Sequence, residues 1–328
     1  MKVNLTGATT RYDHTRDLVT GDVRVEGVDM IWLQLEAEEV IHRFVEHREW
    51  DVSEVSMALY TAMRAAGDDS LTAIPVFVCR TFRHAAMYVP AGTRLQSPRD
   101  LGGRRVGIPQ WVQTAGVYLR GLLESDYDVD LTSIDWSQAG VNQAGRYEHV
   151  PIELPDGIRY TAMPDRTLND MLLDGTIDAA LTARPPRAAD PSDGRVVRLI
   201  PDFEAVERDY LERTGIFPIM HTIAIRTELV ERHPWLPTNL YTAFAAARDR
   251  SIERMTDTAV SAYPVPWLRR HALDVAQAMG GELWPYGVEA NRPTLDAFLQ
   301  YAHRQGLTAR LLTPEELFPP QIDGGMRV

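Results

Sequence analysis

Short runs of apolar and β-branched residues alternate along this chain with stretches whose apolar residues recur at helical spacing, starting within the first few positions. That order predicts an α/β architecture with helices packed on mainly parallel sheets. A first strand is expected at Val3–Leu5 and a second at Val28–Leu35. Between Glu36 and Arg48, Val40, Ile41, Phe44 and Val45 share one helical face, so the segment should lie against a sheet. Asp51–Val55 reads as a third strand entering a helix over Met57–Ala66, and Leu71–Phe82 and Ala85–Val89 read as extended.

Ser97-Pro98-Arg99-Asp100 joins an N-cap serine, a first-turn proline and an acid three residues after the cap, which predicts a helix start. Gly102-Gly103 ends it and launches a strand through Ile108, and a helix over Thr114–Leu123 follows, with Val117, Leu119 and Leu122 facing inward. Leu168, Met171 and Leu172 form a helical stripe that Asp174-Gly175 stops, and Ile177–Leu181 resumes as a strand. The turn-rich stretch Arg184–Gly194 is the best linker candidate. Leu240, Phe244, Ala247, Ile252 and Met255 mark one later helix, and Leu295, Phe298, Leu299 and Ala302 another. Thr313-Pro314-Glu315-Glu316 is a capping box before a short final helix. These elements predict a discontinuous first lobe, 1–88 and 196–328 with the C-terminal helices, and a second lobe, 89–195. A central cleft at a two-strand hinge between them is the expected ligand site.

A chain of 328 residues, 45% of them hydrophobic, can bury two cores of this kind. The formal charge of −12 and pI near 5.2 argue against nucleic acid or anionic lipid as partners, since both need a positive face. Met1–Gly7 has no apolar core of a secretory signal, and no run approaches the roughly 18 to 20 apolar residues of a membrane span. A cytoplasmic protein with no membrane partner is therefore expected. Cys79 is the single cysteine, which excludes an internal disulfide and a multi-thiolate zinc site. Within the run Ile74–Val78 it reads as a small apolar residue.

Leu101-Gly102-Gly103-Arg104-Arg105-Val106-Gly107, followed by Asp174-Gly175-Thr176-Ile177-Asp178-Ala179, resembles the second-lobe signature of type II solute-binding proteins. Four more phrases resemble the 4,5-dihydroxyphthalate decarboxylase family: Asp51–Ser56, Arg80–His84, Gly215–Thr222 and Trp284–Glu289. The resemblance runs from Tyr12 to Phe318. It implies a two-lobed type II periplasmic-binding-protein-like fold and a decarboxylase that removes one carboxylate from a dihydroxylated aromatic diacid. It also implies a small anionic aromatic substrate, and self-association into a homo-oligomer. One departure stands out: after Gly107-Ile108-Pro109, where the family pattern has an acid, this chain has Gln110-Trp111.

Decarboxylating an aromatic acid without an organic cofactor demands a general acid near the ring carbon, an acceptor for a phenolic proton and cations for the spectator carboxylate. His221 is the candidate donor or acceptor, because histidine serves both roles near neutral pH; a core histidine bonded to backbone is the competing reading. Arg80, Phe82 and His84 alternate along an extended segment and are expected on one face, with Arg80 clamping a carboxylate beside His84 and Arg83 a weaker choice on the other face. Glu54 and Ser56, at the end of the third strand, suit a base or histidine orienter and an anion contact, against ordinary helix capping. Gln113 and Thr114 begin a second-lobe helix and form a second anion site. Arg184 ends a strand at the hinge, and Tyr12 and Tyr286 are candidates to stack on or bond the aromatic ring, with Trp284 read as core. No HExxH pair exists among the nine histidines. No cofactor is expected, a divalent metal on His84, His221 and Glu54 being the alternative. Competing functions on this fold are capture of an aromatic acid without turnover, and a menaquinone-pathway-like lyase.

Overall fold

The computed structural model describes residues 2–148, 150 and 153–318. Its strands are β1 (Val3–Thr9), β2 (Val28–Gln34), β3 (Val52–Ser56), β4 (Leu71–Arg80), β5 (Met87–Pro90), β6 (Arg105–Ile108), β7 (Asp135–Gly140), β8 (Arg159–Thr167), β9 (Ala179–Leu181), β10 (Val196–Arg198) and β11 (Ile219–Arg226). The helices are α1 (Arg16–Thr20), α2 (Ala37–His47), α3 (Met57–Ala65), α4 (Thr114–Ser125), α5 (Leu168–Leu173), α6 (Phe203–Thr214), α7 (Thr227–Arg232), α8 (Leu236–Thr256), α9 (Leu268–Ala278), α10 (Arg292–Arg304) and α11 (Pro314–Leu317).

Two compact units result. One comprises Met1–Arg80, Leu211–Asp296 and Leu312–Val328, the other Thr81–Tyr210 and Ala297–Leu311. The second unit thus reaches beyond 89–195 on both sides and recruits a C-terminal segment. The stretch Arg184–Gly194, expected as a linker, lies inside it.

In the first unit the sheet order is β2-β1-β3-β11-β4. β1 pairs in parallel with β2 and β3, while β11 runs antiparallel to β3 and β4. Val40 and Phe44 of α2, Met57 and Tyr60 of α3, and Phe244 of α8 are buried core residues of this unit. β1 is longer than the expected Val3–Leu5, because Gly7 and Ala8 continue the ladder opposite Trp32 and Leu33. A side chain at Gly7 would collide with the Trp32 ring, so the position that looks least strand-like is the one the packing needs small.

The second sheet runs β10-β5-β9-β6-β7-β8, parallel from β9 through β8 and antiparallel at β5. Trp111, Tyr118, Trp136, Leu168 and Met171 are buried there. The Ser97/Asp100 and Thr313/Glu316 capping boxes both form. No helix among the described residues is long and apolar enough to cross a membrane.

Candidate active site

The strand directions bring the carboxyl ends of β1, β3 and β4 and the start of β11 to one end of the first unit's sheet, the end where open α/β sheets place ligands. Register then selects the side chains. His221 of β11 lies opposite Ser56 on β3 and Cys79 on β4. Glu54 is two residues before Ser56 and therefore on the same face, diagonal to His221.

His221 Nδ1 lies 2.5 Å from Glu54 Oε1. The Tyr12 hydroxyl donates to that same oxygen at 2.6 Å, and the Thr10 backbone N–H donates to Oε2 at 2.7 Å. Glu54 is wholly buried, whereas the His221 side chain keeps 18% exposure. The imidazole can therefore meet a solute that the carboxylate cannot.

Burial works against charge on both partners, and the contacts overcome it. Burial pulls the His221 pKa down, but hydrogen bonding to Cys79 and Glu54, and their charges, hold it up at about 10. Burial favours a neutral Glu54, yet the His221 hydrogen bond and charge, with Tyr12 and the Thr10 N–H, keep its carboxyl below the usual range. The pair is thus carboxylate and imidazolium at neutral pH. Tyr12 is pushed far above the usual phenol range by burial and by the Glu54 charge, so it is a fixed donor. Burial would raise the half-buried Cys79 thiol, but the His221 hydrogen bond and charge bring it down.

Aromatic rings wall this cluster. Tyr12 stacks on His14, and Trp284 leans on His14 in turn. Trp284 adopts a left-handed backbone (φ 57°), a strained choice for a bulky residue, and is held by its Nε1 donating to the Phe77 carbonyl at 2.8 Å. It belongs to the site wall rather than to plain core.

The other candidates are distributed as follows. Arg80 is buried in the first unit, its guanidinium 4.5 Å above the Phe217 ring and donating to the carbonyls of Phe217 (2.8 Å) and Pro285 (3.3 Å). Those two donors pin the Gly215–Pro218 and Trp284–Tyr286 loops that flank the cluster. The expected alternation of Arg80, Phe82 and His84 on one face is corrected: β4 ends at Arg80 and His84 opens a single 3-10 turn, His84–Ala86. His84 is buried in the second unit, edge-on to Tyr210 (centroids 5.1 Å) with Nδ1 3.8 Å from Glu207. Arg83 contributes its charge to that Glu207 group. Ser56 caps α3, its hydroxyl accepting the Leu59 N–H at 3.4 Å. Tyr286 is buried, packed between Arg248 (4.9 Å from its ring centroid) and Tyr241.

Gln113 and Thr114 do open α4 in the second unit, and Arg184 follows β9 there in an exposed bend. Gln110, the departure from the family pattern, is buried, with its amide donating to the Tyr147 carbonyl and accepting from Arg146, each at 2.6 Å.

Sequence reasoning missed three parts of the cluster: Cys79, His14 and the Thr10 N–H. The run around Cys79 is apolar, so only strand register reveals its partner. No group of three or more His, Cys, Asp or Glu side chains that could hold a metal ion occurs among the described residues. Both Glu54 oxygens already accept from protein donors.

No family model matches the chain. Among curated proteins it is 36% identical over 320 residues to a 4,5-dihydroxyphthalate decarboxylase of Comamonas testosteroni, covering 97% of each chain. It is 34% identical over 210 residues to a 4,5-dihydroxyphthalate decarboxylase of Pseudomonas putida, covering 64% of this chain and 81% of that protein. Among solved structures, the periplasmic aliphatic sulphonate binding protein SsuA from Escherichia coli aligns with a TM-score of 0.56 at 12% identity, covering 97% of this chain and 92% of its own. That likeness shows a type II periplasmic-binding-protein-like fold.

Proposed function

Because this chain belongs to the 4,5-dihydroxyphthalate decarboxylase family, we propose that it is a carboxy-lyase that removes one carboxylate from 4,5-dihydroxyphthalate or a close hydroxylated aromatic acid. The two carboxylates of that diacid are equivalent by symmetry, so either loss yields the same catechol monoacid. The observation that carries the mechanism is the 2.5 Å His221–Glu54 pair at the ligand end of the sheet.

His221 enters the reaction as imidazolium and delivers its proton to the ring carbon that bears the departing carboxylate. The para hydroxyl supplies electron density, the carbon–carbon bond then breaks, carbon dioxide leaves and aromaticity returns. Glu54 holds the ring orientation and the charge of His221, and Tyr12 and the Thr10 N–H hold Glu54. A general acid so placed contributes roughly 10²- to 10⁴-fold.

Arg80, Arg83, Arg184, Ser56, Gln113 and Thr114 remain proposed carboxylate contacts, with Tyr286 for the ring and His84 as an auxiliary group. Each is to be judged by its effect on KM. The reading takes the chemistry as cofactor-free, since the oxygens of Glu54 are engaged by His221, Tyr12 and Thr10. A cytoplasmic location, where a free thiol stays reduced, and self-association are part of the same proposal.

The test is carbon dioxide release from 4,5-dihydroxyphthalate, with wild type and with His221→Gln, in the presence and absence of a chelator. The expected result is turnover by wild type, a kcat loss of roughly 10²-fold or more in the variant, and no chelator effect. Recovery of the acid unaltered from wild type would support capture without chemistry.

A further inference from the structure

His14 lies in the one-turn helix Asp13–Thr15 that follows Tyr12. Its Nε2 is 3.0 Å from the carbonyl oxygen of Val78. A carbonyl only accepts, so Nε2 carries a proton, and in the neutral ring Nδ1 is the nitrogen that keeps the lone pair. The ring plane is fixed as well. It stacks on Tyr12 with centroids 5.1 Å apart and 24° between planes, and Trp284 lies 5.2 Å away at 42°. Tyr12 in turn sends its hydroxyl to the Glu54 oxygen that also takes His221. The two histidines stand at the ends of one chain of contacts: His14, Tyr12, Glu54, His221.

We propose that His14 is a second catalytic histidine of this site, a neutral imidazole whose Nδ1 takes the proton of the substrate's para hydroxyl while His221 protonates the ring carbon. The assignment rests on the decarboxylase reading above and supplies the acceptor which that reading lacks.

The step balances. The phenolic O–H breaks and its proton goes to Nδ1, while the oxygen pair moves into the ring and the para carbon forms its new C–H bond with the His221 proton. The bond to the carboxylate then breaks, carbon dioxide leaves, and its electron pair restores the ring. The oxygen recovers its proton from His14, and His221 is recharged by solvent, so one proton is consumed per carbon dioxide released.

The protonation states agree with these roles. Burial draws the His14 pKa down to about 4, against the Val78 hydrogen bond and the nearby charges of Glu54 and Asp13, with Arg248 adding to the depression. His221 is held in the opposite sense. Two like groups driven apart by their surroundings are the usual mark of an acid and a base working together.

The test compares wild type, His14→Gln and His14→Asn on 4,5-dihydroxyphthalate across pH, with and without added imidazole. The expected loss in kcat at neutral pH is roughly 10²-fold with KM little changed. The deficit should shrink as pH rises and the substrate phenol ionises by itself, and imidazole should restore part of the rate. Variants with wild-type kcat, or with a loss that is equal at every pH and unmoved by imidazole, would overturn the proposal. A wild type that fails to release carbon dioxide would instead remove the decarboxylase reading. Should neither variant fold, ¹⁵N-histidine NMR of wild type decides: His14 must keep an unprotonated Nδ1 from pH 5 to 9, and titration near 6.5 would exclude it.

Discussion

Glu54, itself wholly buried, shares two oxygens among three donors, and one of them, His221, keeps 18% side-chain exposure. Its effect on chemistry is therefore to be read through His221. Glu54→Gln keeps size and removes the charge that supports the imidazolium, so the alkaline limb of the kcat profile, expected near pH 10 in wild type, should move down by roughly one to three pH units. A steady-state pH profile measures this, and an unmoved limb would show that Glu54 does not set the proton affinity of His221. At this scale the sequence was partly legible. Glu54 and His221 were selected because carboxylate and imidazole suit the chemistry, and Tyr12 because it follows a strand end. Cys79 and His14 were not, since their partners are 142 residues downstream, across a strand register, and a backbone carbonyl. Neither leaves a local pattern.

The elements that carry the cluster were read well where periodicity was strong, as in α2, α4 and α8, and less well where packing overrode composition. β1 was cut short at Leu5, and Gly7, which looks unlike a strand, lies within it because a neighbouring tryptophan ring requires the missing side chain. The turn at His84 was read as extended because a β-type run, Ala85–Val89, followed it directly. The segment bearing Tyr12 and His14 is tied to α8 by charges that no pattern announces. Asp13 accepts from Ser251 (2.7 Å), Arg254 (3.1 Å) and Tyr263, and buried Asp17 accepts from Arg254 and Arg250. Removing Arg254 leaves Asp17 with Arg250 and Arg16, and Asp13 with Ser251, Tyr263 and Arg16, so the loss is that of one charged hydrogen-bond partner, about 1 to 3 kcal/mol. Arg254→Met is accordingly expected to destabilise the chain by that order in urea unfolding and to lower kcat by loosening the His14 turn. Full stability in the variant would show that Arg250 and Arg16 together compensate Asp17.

For the whole molecule, the α/β class and the division into two units follow from the order of elements, but the borders do not. The second unit takes its last segment from Ala297–Leu311, within and after a helix whose apolar stripe looks like any other. Ionisation of the His221–Glu54 pair also has a global signature. The folded His221 pKa lies above the 6.5 of a free histidine, so its contribution to stability is complete below 6.5 and is lost as pH climbs through about 10. Glu54 is the converse, contributing above the ordinary carboxyl value of 4.5 and losing that contribution as pH falls through its lowered folded value. The difference in melting temperature between wild type and His221→Gln should therefore be largest near pH 6 and narrow steadily toward pH 10. A difference that stays constant from pH 6 to 10 would mean that the pair is held together as neutral groups, and His221 would then have no proton to give at the working pH.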